Sequence, residues 1–137
     1  MAITIGTANS VLDLLFGQTS FSNFSTLYCG LSTTVIQNDG SGATEPSGGG
    51  YARVAITNNK INFTNANLAA LTNATSIAFP ESTASWGTIT YFFLAGGATS
   101  GVADIKYFEV LSSPKTVQSQ TTVLFSVGAL TISMTNT

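Results

Sequence analysis

From Thr26 onward the chain is a succession of short stretches in which apolar and polar residues alternate, each closed by Gly, Asn, Pro or Ser. This is the period of a β-strand, whose successive side chains point to opposite faces of a sheet. Leu27, Cys29 and Leu31 alternate with Tyr28, Gly30 and Ser32, which predicts a strand with one buried face. Residues 51–57 alternate again, and Asn58-Asn59 followed by 60–64, with Ile61 and Phe63, predicts a hairpin. A short strand is expected over 76–79, stopped by Pro80. Residues 88–95, rich in Ile, Tyr, Phe and Leu, predict a strand buried on both faces. Gly96-Gly97 and Gly101 turn it into a partner over 103–111. Residues 121–127 and 130–134 predict a final pair joined through Gly128-Ala129. Short strands at near-regular spacing imply an all-β chain, an antiparallel β-sandwich or barrel-like fold.

One segment departs from this period. Over residues 8–17, Val11, Leu12, Leu14, Leu15 and Phe16 fall at helical spacing, with Asn9 or Ser10 placed to cap the start and Gly17 to end it. A short N-terminal helix is expected there, either covering an open end of the sheet or docking onto a partner subunit. Residues 38–50, Gly/Ser-rich around Pro46, have too few apolar side chains to offset their ordering entropy and predict a long exposed loop. With 137 residues and no internal repeat, 1–137 reads as one β-sandwich domain able to bury its own core.

Composition narrows the chemistry. Charged residues make up 7% of the chain, against about 25% in an ordinary soluble domain. The polar surface is therefore built from Ser, Thr, Asn, Gln and Gly, and a net charge of -2 offers little repulsion between copies. Arg53, Lys60, Lys106 and Lys115 are scattered singly, so nucleic-acid binding is not expected. Apolar runs fall far short of the roughly 20 residues a membrane-spanning helix needs, and no secretory leader pattern opens the chain. There is no histidine, and Cys29 stands alone in an apolar run, read as a buried, inert thiol. No metal, cofactor or catalytic set is expected. The remaining hydrolytic arrangement is a carboxylate pair drawn from Glu45, Glu81 and Glu109.

The candidate interaction or loop-stapling residues are Glu45, Tyr51, Arg53, Trp86 and Tyr91. Glu45 and Arg53 flank Gly48-Gly49-Gly50 closely enough to form an ion pair at the base of the loop, with the glycines supplying positive φ beside the bulky Tyr51. The pair reads as a local staple or as an intersubunit contact. Trp86, Tyr91, Phe92, Phe93, Tyr107 and Phe108 cluster in one half of the chain. Core or subunit packing is the first reading of these rings, and stacking on sugars the second.

The order of these motifs resembles a family of small tailed-bacteriophage virion structural proteins, the tail-fibre-like or minor virion proteins, nearly end to end. The matching elements are Leu14-Leu15 in a short N-terminal helix, the strand 27–33, and the run Thr44-Glu45-Pro46-Ser47-Gly48-Gly49-Gly50-Tyr51-Ala52-Arg53. Phe79-Pro80, Trp86-Gly87, Ser113-Pro114-Lys115-Thr116-Val117 and Gly128-Ala129 follow in the same order. The resemblance implies a non-enzymatic virion protein on the exterior of the particle, a tail-fibre or baseplate component or a capsid-decorating (cement) protein. Its implied partners are copies of itself, as a trimer, and other virion proteins. The alternative is a receptor- or carbohydrate-binding module that meets a host-surface glycan through Trp86, the Tyr91 neighbourhood or the 38–50 loop.

Overall fold

A computed structural model describes residues 3–134. One helix, α1 (Ile5–Gly17), precedes eight strands: β1 (Thr26–Ser32), β2 (Val54–Thr57), β3 (Ala70–Thr72), β4 (Ile77–Ala78), β5 (Gly87–Ala95), β6 (Ile105–Val117), β7 (Leu124–Phe125) and β8 (Thr131–Ser133). A four-stranded sheet in the order β2-β1-β5-β6 and two ladders, β3-β8 and β4-β7, contain them, and every pairing is antiparallel. The fold is all-β with a short N-terminal helix.

The four-stranded sheet carries apolar packing on both faces. Cys29, Leu31, Phe92, Leu94 and Tyr107 meet Phe63, Ile77, Phe79 and Leu130 from the small ladders and their flanks. On the other face Phe93, Ala95, Ile105 and Phe108 pack with Ile36. This explains why β5 reads as a continuous apolar run. It also corrects the single buried face expected of β1, in which the four residues from Cys29 to Ser32 are all buried. Gly30 pairs with Phe93, whose ring occupies the place a Cβ on Gly30 would take. The fully buried Ser32 hydroxyl donates to Thr34 O at 2.8 Å and accepts from Thr44 N at 3.0 Å. Small residues on the second face thus admit a second layer.

Several local expectations give way to long-range bonding. The helix starts three residues early, after an extended Thr4, not at Asn9 or Ser10. Thr4 N donates to Lys106 O at 3.1 Å and Ile5 N to Asn38 O at 2.9 Å, so contacts from elsewhere in the chain replace a side-chain cap. Its end agrees more closely: Gly17 is the last helical residue and Gln18 turns left-handed at φ 54°.

The hairpin expected at Asn58-Asn59 does not form. Asn59 Oδ1 accepts from Ile61 N and Asn62 N, each at 3.0 Å, coiling the segment into a tight turn. β2 pairs with β1 instead. The final hairpin is also absent, because β7 goes to β4 and β8 to β3, a strand absent from the sequence reading. Buried Asn73 organises this split: its Nδ2 donates to Thr75 O at 2.8 Å and Ser126 O at 2.9 Å, and its Oδ1 accepts from Leu130 N at 2.9 Å. β6 runs past the expected end at Leu111 to Val117, accommodated by a register shift opposite Ile89/Tyr91.

The 38–50 segment is irregular but not wholly exposed. Gly40 and Pro46 are buried, and backbone bonds such as Thr33 N to Thr44 O at 2.9 Å hold the segment against β1. Backbone pairing does the ordering that its few apolar side chains could not.

Candidate functional site

The run from Glu45 to Arg53 folds back on itself through three consecutive left-handed glycines, Gly48, Gly49 and Gly50, at φ 70°, 61° and 77°. Gly49 is where this freedom matters most. A Cβ there would stand 3.1 Å from the Trp86 indole, whose Nε1 donates to Gly49 O at 2.8 Å. The loop is thereby pinned to the start of β5.

The reversal brings Glu45 against Arg53. Arg53 Nε donates to Glu45 Oε1 at 3.0 Å and Nη2 to Oε2 at 2.9 Å, a fork-to-fork pair with side chains only 1% and 4% exposed. Tyr51 OH donates to Oε1 at 2.7 Å, and Gly101 N donates to Oε2. The carboxylate's acceptor sites, about four in all, are therefore filled from within the chain. Arg53 also donates through Nη1 to Gly97 O at 2.8 Å and through Nη2 to Val102 O at 2.7 Å, and its guanidinium carbon lies 5.0 Å from the Phe93 ring centre. Tyr51 OH accepts in turn from Leu31 N at 2.9 Å. One ion pair thus ties the 38–50 loop, β1 and the β5–β6 connection together.

Burial alone pushes the Glu45 carboxyl up, but the Arg53, Gly101 and Tyr51 hydrogen bonds and the Arg53 charge outweigh it, holding the pKa below the usual glutamate value. Burial, then the bond to Glu45, raises the Tyr51 phenol. With its acceptor positions occupied by donors of the same chain, the carboxylate acts as a tie between segments of the fold. Both charges of the pair are met by partners within the chain.

The other candidates lie elsewhere. Trp86 is buried, 4% exposed, edge-on to Tyr51 and Phe79, so its ring faces the core and offers no platform to a sugar. Tyr91 stands on β5 opposite Ser32 and Val110, half-buried against Phe108, in the packing on the sheet's second face. Of the carboxylates weighed as a hydrolytic pair, Glu45 is locked to Arg53 and Glu109 accepts from Tyr107 OH at 2.8 Å, while Glu81 is exposed. Cys29 is fully buried and its thiol is pushed up to about 12 by desolvation. Among the described residues no group of acidic, His and Cys side chains is arranged to hold a metal, and no helix is long and apolar enough to cross a membrane.

Two features escaped the sequence reading. Gly97, Gly101 and Val102 complete the cluster through backbone groups, which leave no trace in side-chain identity. The apolar face of α1 was visible as a pattern, but its exposure was not.

Residues 2–133 match the family described as podophage GP4 fiber I protein gp80. No curated protein matches the chain.

Proposed function

The chain belongs to the podophage fiber I protein family, which makes it a phage virion structural protein of the tail-fibre kind, and on that premise we propose that it is a non-enzymatic fibre subunit on the exterior of the particle. Identical copies associate, as a trimer, and the assembly joins other virion proteins. The family match across nearly the whole chain carries this reading. Two physical features support it. The chain has few charges to keep copies apart, and its most elaborate polar cluster, around Glu45 and Arg53, is spent on internal bracing. A fibre subunit needs a braced shape more than it needs a reactive site.

Immunogold electron microscopy of intact particles, with antibody raised against this chain, tests the assignment. Gold on the tail is the expected outcome. Gold on the head would replace it with a capsid-decorating role, and unlabelled particles that otherwise contain the protein only as a contaminant would overturn the virion location.

A further inference from the structure

Charge is placed unevenly among the strands. β1 to β5, β7 and β8 contain no charged residue, whereas β6 carries Lys106, Glu109 and Lys115. In a chain with only 7% charged residues, these three fall on the strand that ends the four-stranded sheet. An edge strand presents backbone N–H and C=O groups that a strand of another chain can pair with. β6 is the longer of the two edges, 13 residues against 4 in β2.

This edge is obstructed along its length. At its start Thr4 N donates to Lys106 O at 3.1 Å and Ile3 bridges Tyr107, so the N-terminal segment covers the first residues. Phe108 and Val110 turn their backbone groups the same way as Lys106, by the alternation of an antiparallel ladder. Among the described residues no backbone group meets them from outside the sheet. Between them stands Glu109, held by the Tyr107 hydroxyl at 2.8 Å. Glu109 is registered with buried Phe92, and Lys115 with buried Ile89, so both charges lie on the core face of the sheet. Neither has an ionic partner among the described residues. A strand added beside β6 would widen that face and close over both charges, at the cost of desolvating them unpaired.

The ladder is also broken. Tyr91 pairs with Val110 and Ile89 with Lys115, which leaves Leu111, Ser112, Ser113 and Pro114 opposite Thr90 alone. Such a bulge bends the strand away from a straight partner, and Pro114 has no N–H to offer one.

We propose that β6 is a guarded edge, on which Glu109, Lys115 and the bulge at 111–114 prevent strand addition by other copies of the chain. The segment they interrupt holds Ile105, Tyr107, Phe108, Val110 and Leu111, the kind of apolar, strand-forming run that stacks edge to edge when nothing breaks it. The guard operates whether the chain works alone or within a fibre.

Thioflavin T fluorescence and sedimentation of the folded full chain at high concentration test it. Glu109→Val/Lys115→Val is expected to form dye-positive, sedimenting aggregates at least tenfold faster than the wild type. Lys60→Val/Glu81→Val removes the same charges from exposed positions outside the strands and should aggregate at the wild-type rate. The charge swap Glu109→Lys/Lys115→Glu keeps both charges on the edge and should stay soluble. Thermal melting run alongside restricts the comparison to variants folded at the assay temperature, and if the double valine variant is not, Lys115→Val at its exposed position takes its place. A folded valine variant as soluble as the wild type would overturn the proposal. Equal aggregation by Lys60→Val/Glu81→Val would reduce the effect to added hydrocarbon, and rapid aggregation of the swapped protein would show that charge on the edge does not protect it; either result rejects the guard.

Discussion

At the foot of the glycine loop two full charges, Glu45 and Arg53, are buried to 4% and 1% exposure, whereas α1 holds Leu15 and Phe16 out at 65% and 83%. Each region inverts the ordinary partition of charge outside and hydrocarbon inside. The first inversion is resolved within the chain. Among the described residues no buried side-chain nitrogen or oxygen lacks a hydrogen-bond partner, so the desolvated pair is completely satisfied. The second has no internal resolution, because no residue of α1 is buried. A buried polar group with all its bonds made points inward, to the stability of one chain. An exposed apolar face adds little to that stability.

The contrast is most exposed to failure at Arg53. Arg53→Ala strips the guanidinium from a buried carboxylate and is expected to cost about 3–5 kcal/mol, read by urea or thermal unfolding, with no direct effect on the α1 surface. The double variant Glu45→Gln/Arg53→Met should recover much of that loss, since most of the cost is an orphaned charge. A single variant that melts like the wild type would show the cluster to be ornamental.

Acid offers a milder perturbation of the same pair. The folded Glu45 pKa lies below its unfolded value of about 4.3, so the folded state holds the carboxylate charged. Its contribution is present above that unfolded value and lost as pH falls through the folded pKa. Melting temperature is therefore expected to drop below about pH 4, more steeply in the wild type than in the double variant. Asp39, also lowered, through its Ser41 hydrogen bonds, remains in both proteins and serves as the common background.

The smallest expected effect lies on the helix. Leu15→Asp in dilute solution should shift stability by no more than about 0.5 kcal/mol, since the side chain is mostly exposed. A large loss of stability in the dilute monomer would mean that α1 belongs to the fold, and the difference between the two regions would collapse.

How legible each region was follows from where its determinants lie. The Glu45–Arg53 pairing could be anticipated because both partners flank one short glycine turn, and the turn needs only residues that accept positive φ. The backbone groups of Gly97, Gly101 and Val102 that finish the cluster could not, since every residue offers a carbonyl and, proline apart, an N–H. Trp86 shows the opposite difficulty. Its identity suits a sugar platform as well as a core, and only packing against Tyr51 and Phe79 decides for the core.

By itself the sequence determined the strand-forming stretches β1, β4 and β5, the doubly buried character of β5, the existence of a short N-terminal helix and the all-β class, because side-chain period and apolar density are local properties of the chain. Tertiary structure alone decided that β2 joins β1, that β7 and β8 part company around Asn73, and that α1 is left uncovered. Periodicity records which face of an element is apolar. Which surface, if any, arrives to cover that face depends on residues far away in the chain, and no local pattern carries that information.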